Sequence, residues 1–133
     1  MTLLVDTSAL LALYLADDRH HPEAVGFLQR TPRARFVLTD LILGELATRL
    51  AARVGPLRAV EVARGILASR RYEVMFLDGD LLGEALATME GFADKRLSLA
   101  DCASFTLMRR LGVRSAFTFD NDFRDCGFEM LPA

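Results

Sequence analysis

Thr2-Leu3-Leu4-Val5-Asp6-Thr7-Ser8-Ala9-Leu10 is the stretch on which the fold turns. Thr2 to Val5 is a short apolar run with no alternation of polar residues, the pattern of a strand buried on both faces. Asp6-Thr7-Ser8 interrupts it with three residues that cap helices well, and Ala9 to Leu15 continues as a helix. A buried strand that passes straight into a helix is the opening of a parallel α/β unit, so the rest of the chain is expected to repeat it.

It does. After a polar break from Asp17 to His21, His21-Pro22-Glu23 reads as a helix start, with His21 at the N-cap and proline in the first turn. Arg35 to Leu38 is a second strand, and Thr39 or Asp40 caps a helix with Ile42, Leu46 and Leu50 on one face. Gly55-Pro56 breaks it before an amphipathic helix carrying Val60, Ala63 and Leu67. Tyr72 to Leu77 is a third strand, followed by a helix that Asp78-Gly79-Asp80 opens and that ends near Gly91. Ser98 starts another helix, which Gly112 closes. Val113 to Phe119 and Phe128 to Leu131 are the last two strands. Strands alternate with helices and no tight hairpin signal occurs. This predicts an α/β domain with a parallel sheet of about five strands between helices. A chain of 133 residues fits one such domain, residues 1–133.

Composition excludes several classes. Hydrophobic residues make up 52% of the chain, well above a disordered segment. No uncharged apolar stretch is long enough to span a bilayer, and a carboxylate interrupts the first apolar run, so a cytoplasmic protein is expected. Two cysteines, Cys102 and Cys126, do not make a disulfide framework, and Cys102 reads as a buried thiol. The net charge of −2 gives no global basic field. Charge is nonetheless uneven: Leu46 to Tyr72 holds Arg49, Arg53, Arg58, Arg64, Arg70 and Arg71 against the single acid Glu61. No glycine-rich phosphate loop is present. Thr7-Ser8 has no histidine with an orienting acid, which disfavours serine hydrolase chemistry. His20-His21 has no third nitrogen or sulfur ligand nearby, which disfavours a histidine metal site.

The carboxylates are more telling. Asp6 and Asp120 each follow an apolar strand, and ligands of parallel sheets bind at the carboxyl ends of strands. Glu45 and Asp101 interrupt helical stretches that otherwise look buried, where an unpartnered charge is costly. Each acid has a local explanation. Asp6 can make an Asx turn, Asp101 completes a capping box with Ser98, Glu45 can pair with Arg49, and Asp120 can begin a turn through Asn121. One arrangement accounts for all four together: a carboxylate nest without a local cation. Such a nest holds a hard divalent cation, Mg²⁺ or Mn²⁺, and suits phosphodiester hydrolysis better than zinc chemistry.

Four segments carry a family resemblance in order along nearly the whole chain: Val5-Asp6-Thr7-Ser8-Ala9-Leu10, Gly44-Glu45-Leu46, Ser98-Leu99-Ala100-Asp101-Cys102-Ala103, and Phe117-Thr118-Phe119-Asp120-Asn121-Asp122-Phe123. In these the chain resembles PIN-domain proteins, and within them the VapC-type toxins of bacterial toxin–antitoxin pairs. The resemblance implies a three-layer domain and Mg²⁺- or Mn²⁺-dependent cleavage of RNA. It makes Asp6, Glu45, Asp101 and Asp120 the acidic cluster, with Asp6, Asp101 and Asp120 on the metal and Ser8 or Thr118 as a supporting hydroxyl. Asp122 stands as a supplement to Asp120, and Arg49 and Arg53 as RNA contacts. A homodimer and a VapB-type antitoxin partner are implied as well. The alternatives are a free-standing PIN nuclease, a nuclease acting on DNA flaps or ends, and a non-catalytic module of the same fold.

Overall fold

The computed structural model describes residues 1–133. In chain order the elements are β1 (Thr2–Val5), α1 (Thr7–Tyr14), α2 (His21–Arg30), β2 (Arg35–Thr39), α3 (Asp40–Val54), α4 (Pro56–Ala68), β3 (Tyr72–Met75), α5 (Gly79–Gly91), α6 (Leu99–Leu111), β4 (Ser115–Phe117), α7 (Asp122–Asp125) and β5 (Glu129–Leu131). All strands are parallel, in the order β3-β2-β1-β4-β5. The expected five-stranded parallel sheet with its flanking helices is therefore the fold.

The order of strands locates the site. From β1 the chain builds outward to β2 and β3, then returns to the other side of β1 for β4 and β5. The direction of building reverses between β1 and β4, which is the topological switch point where such sheets open a crevice at their carboxyl ends. Leu4 pairs with Ala116 and Val5 with Phe117 across this junction. The Asp6 N–H continues the ladder one step, donating to the Phe117 carbonyl at 3.0 Å. Asp6 and the segment after Phe117 are thereby fixed at one rim.

The core explains why the strands read as unbroken apolar runs. Leu3, Leu4 and Val5 are fully buried, as are Phe36, Leu38, Ala116 and Phe117. The helix α6 is buried from Cys102 through Met108. An element buried on all sides has no polar face, and Asp101 stands half-buried just before this stretch. Gly112 closes α6 in the left-handed conformation, φ +67°, which a side chain would resist.

Three expectations are corrected. His20, not His21, holds the N-cap position of α2, with Pro22 in its first turn and no side-chain cap. The buried face of α4 is Ala59, Val62 and Ile66, whereas Val60 and Leu67 are exposed. Val60, Ala63 and Leu67 instead line a shallow apolar groove with Ala47 and Ala51 of α3, so α4 carries two apolar stripes and the periodicity picks out the exposed one. The fourth strand ends at Phe117 rather than Phe119. Beyond it the Thr118 and Ser8 hydroxyls take the N–H groups of Asp120 and Phe119, and the chain turns into the single-turn helix α7. No helix is long and apolar enough to cross a membrane.

Candidate active site

Asp6 is buried at the carboxyl end of β1, where it caps α1. Its Oδ2 accepts from Ser8 N–H at 3.4 Å, Ser8 Oγ at 2.8 Å and Thr118 Oγ1 at 3.0 Å. Each hydroxyl has one proton, and both spend it on Asp6. Ser8 Oγ in turn accepts from Phe119 N–H and Thr118 Oγ1 from Asp120 N–H, both at 3.0 Å. The 3.2 Å approach of the two hydroxyls is then crowding around one carboxylate oxygen rather than a further hydrogen bond. Oδ1 of Asp6 is left as a free acceptor. Ser8 and Thr118 thus both orient Asp6 and hold the backbone that carries Asp120.

Asp101 sits in the first turn of α6. The capping box with Ser98 is complete: Asp101 N–H donates to Ser98 Oγ at 3.0 Å, and Ser98 N–H to Asp101 Oδ2 at 3.4 Å. Asp120 accepts Asp122 N–H on Oδ1 at 2.9 Å, an Asx turn that starts α7. One ligand oxygen from each of Asp101, Asp120 and Asp122 lies within 4.8 Å of the others. The structure therefore brings Asp122 into the tightest group, with Asp6 behind it. The sequence alone left Asp122 freer to face solvent, because nothing in Asn121-Asp122-Phe123 announces α7. Glu45, on α3, is not part of that tightest group. Its carboxylate is half exposed, takes the Thr7 hydroxyl at 3.4 Å and pairs with Arg49 at 3.5 Å.

The electrostatics are those of a cluster in want of positive charge. Burial raises the Asp6 carboxyl, against the hydrogen bonds from Ser8 and Thr118, and the charge of Asp120 raises it further. Burial, then the charges of Asp6 and Asp120, push Asp101 up to about 6. Asp122 is raised by burial and by Asp120, with Lys95 opposing. None of Asp6, Asp101, Asp120 or Asp122 forms an ion pair with a lysine, arginine or histidine. An all-carboxylate donor set with no internal counter-charge suits Mg²⁺ or Mn²⁺, which prefer oxygen ligands.

The arginines separate into different roles. Arg53 pairs with Asp17 and Arg58 with Glu61. Arg71 donates to the carbonyls of Ala34 and Thr31 and lies over the Phe36 ring, which makes it a brace for β2. Arg49 lines a cavity beside the carboxylates together with Ser8, His20 and Phe119. The sequence offers no role for Phe119, and for His20 only a metal-ligand reading that it disfavours. The only sequence signal is an aromatic residue directly before Asp120.

Comparison with known proteins agrees with this fold. Residues 3–129 match the model of the PIN domain. Over 126 residues, 95% of each chain, the protein is 32% identical to the 23S rRNA-specific endonuclease VapC20 of Mycobacterium tuberculosis, in strains CDC 1551 / Oshkosh and H37Rv. The crystal structure of that VapC20, described as a Sarcin-Ricin loop cleaving toxin, superposes with a TM-score of 0.87 over 95% of both chains. VapBC2 from Rickettsia felis, bound to a DNA fragment from its promoter, shares the fold at TM-score 0.69 and 12% identity, covering 98% of this chain and 97% of its own. FitAcB from Neisseria gonorrhoeae shares it at TM-score 0.63 and 13% identity, covering 98% and 96%. A family match spanning nearly the whole chain, and a relative 32% identical across 95% of it, place this protein in the PIN-domain family.

Proposed function

We propose that this protein is an Mg²⁺- or Mn²⁺-dependent endoribonuclease of VapC type that cuts an exposed loop of a structured RNA. The observation that carries the reading is the convergence of Asp101, Asp120 and Asp122, backed by Asp6, at the switch point of the sheet with no cation to neutralise them. The identity to a 23S rRNA-specific endonuclease across 95% of the chain supports RNA as the substrate.

In this reading Asp101, Asp120 and Asp122 would hold the ion, with Asp6 adding its charge to the same cluster. The chemistry such an ion would supply is a more acidic water and a counter-charge for the phosphoryl oxygens of the phosphodiester. The chain's own work is positioning. Ser8 and Thr118 lock Asp6 and the Asp120 backbone together, so the carboxylates from opposite ends of the sequence keep one spacing. The Asx turn from Asp120 sets where Asp122 starts α7. Ser98 fixes Asp101 through the capping box. Glu45 holds the Thr7 hydroxyl on Oε2 and Arg49 on Oε1, so it would orient an incoming water only by giving up one of those long contacts.

The same relationship supports a cytoplasmic toxin held in check by a VapB-type antitoxin. A twofold homodimer is also inferred: Leu82, Leu86 and Met89 are exposed along one face of α5, an apolar stripe that a second copy would bury. The decisive experiment is cleavage of matched RNA and DNA hairpins with Mg²⁺, with Mn²⁺ and with EDTA, by wild type and by Asp120→Asn. Metal-dependent RNA cleavage lost in the folded variant supports the reading. Equal activity of the two proteins, or cutting of DNA alone, overturns it.

A further inference from the structure

Next to the carboxylates is a cavity of about 350 Å³ that the acidic cluster does not use. The rings of His20 and Phe119 line it and stack on each other, centroids 4.3 Å apart and planes 5° from parallel. The histidine ring is held by its edge and its backbone. Arg19 Nε donates to Nε2 at 3.1 Å, which leaves the proton of a neutral ring on Nδ1. That nitrogen is buried with no hydrogen-bond partner, 3.6 Å from Glu23 Oε1. The His20 N–H donates to Asp18 Oδ1 at 2.8 Å. The result is a fixed aromatic platform rather than a mobile surface side chain.

Two guanidinium groups, Arg19 and Arg49, border the same cavity, against one carboxylate, Asp18. Arg49 is exposed and its only partner is Glu45 at 3.5 Å, a contact weak enough to exchange for a phosphate. The cavity is also joined to the acidic cluster through the chain itself. Phe119 precedes Asp120 directly, and Ser8, which lines the cavity, donates to Asp6. A strand whose phosphodiester lies over the carboxylates therefore has its neighbouring nucleotide beside Phe119 and Arg49. Unpaired bases of RNA loops are held on aromatic faces and guanidinium planes in this way.

We infer that the His20–Phe119 cavity is a subsite for one unpaired nucleotide flanking the cut, its base on the aromatic platform and its phosphate on Arg49 and Arg19. The inference rests on the ribonuclease reading and deepens it, by giving the enzyme a site that reads a base rather than only backbone charge. The acids cannot do this, since carboxylates repel an RNA strand until a cation bridges them.

The test is a titration of the ¹⁵N-labelled protein, free of divalent cations, with the four nucleoside 5′-monophosphates, the matching nucleosides and inorganic phosphate. Saturable amide shifts at Leu11, Arg19, His20 and Phe119 are expected with nucleotides, with affinity on the order of millimolar. Phe119→Leu should weaken nucleotide binding about tenfold, the loss expected on removing a stacking partner. Arg49→Gln should remove most of the advantage of a nucleotide over its nucleoside, and it decides the matter if Phe119→Leu does not give a folded spectrum. No shifts in this cavity, or shifts that phosphate alone reproduces and neither variant alters, would overturn the subsite. Failure of the enzyme reading looks different: no metal-dependent RNA cleavage by the wild type, whatever the nucleotides do.

Discussion

Replacing Asp101 by asparagine should make the metal-free protein more stable and the enzyme inactive. Burial and the charges of Asp6 and Asp120 hold the Asp101 carboxyl at about 6, against an ordinary value of 3.8. Each pKa unit is worth about 1.4 kcal/mol, so ionised Asp101 costs the fold up to about 3 kcal/mol. The carboxylate is partly exposed and solvent screens it, which reduces this to about 1–2 kcal/mol. Asparagine removes the charge and keeps an oxygen that can accept the Ser98 N–H, so the capping box survives. The sign follows from proton counting. Between about pH 4 and pH 6 the native state binds more protons at this site than the unfolded chain does, so wild-type stability falls as pH rises through that window. Below it the wild-type carboxyl is neutral in both states and the two proteins converge; above it the full penalty applies. Thermal melts in EDTA at pH 7.5 should place Asp101→Asn on the order of 5 °C above wild type, with the gap closing towards pH 4. In Mg²⁺ or Mn²⁺ the order should invert, because only the wild type gains from the ion. A variant less stable than wild type in EDTA at pH 7.5, or a gap independent of pH, would refute the like-charge account of the cluster.

Wild-type protein at an ion concentration a hundredfold above Kd should gain about 2.7 kcal/mol of stability, and Asp6→Asn a smaller part of it; melts with and without Mn²⁺ check both. Thr118→Val strips the hydroxyl that serves Asp6 and the Asp120 N–H, and should cost about 1–3 kcal/mol in denaturant unfolding along with most of the RNA cleavage. Asp120→Ala should abolish cleavage, and Asp122→Ala should lower kcat/KM by at least about tenfold, as expected for a carboxylate within 4.8 Å of the other two; cleavage assays on both folded variants at saturating Mn²⁺ decide it. Arg49→Gln should weaken RNA binding and reduce its salt slope by about one, whereas Arg71→Gln should lower stability and leave the slope alone, as befits a brace on β2.

The fold was legible where burial imposes a pattern. Leu3-Leu4-Val5 and Phe36-Val37-Leu38 are apolar without alternation because parallel strands between helices are buried on both faces, and their positions came out within a residue or two. Legibility failed where an element has two apolar stripes or almost none. On α4 the exposed stripe Val60-Ala63-Leu67 is as apolar as the buried stripe Ala59-Val62-Ile66, and periodicity cannot rank two faces of equal hydropathy. The helix α7 has four residues and one buried side chain, Phe123, too little for any period to show. Its absence from the sequence reading left Asp122 unplaced.

Local structural roles and a shared site are not alternatives for the four carboxylates. Asp6 is an N-cap, Asp101 closes a capping box, Glu45 pairs with Arg49, and Asp120 opens an Asx turn, each as its local sequence allows. Asp6, Asp101 and Asp120 also act on one another across the sheet rim. The two sets of roles depend on each other. A carboxylate that caps a helix has one oxygen fixed by backbone N–H groups, and its other oxygen then points in a direction set by the helix rather than by rotamer choice. Asp6 shows this most clearly: every hydrogen bond goes to Oδ2, and Oδ1 is left over. Mutual repulsion would turn free carboxylates away from one another. Anchoring each to its own element prevents that, so the charges stay close at a cost the fold absorbs, which burial and like charge register as the raised Asp101 carboxyl. A capping motif at the carboxyl rim of a parallel sheet is therefore a reason to suspect a site, because the local bond is what holds an acid where a cation can use it.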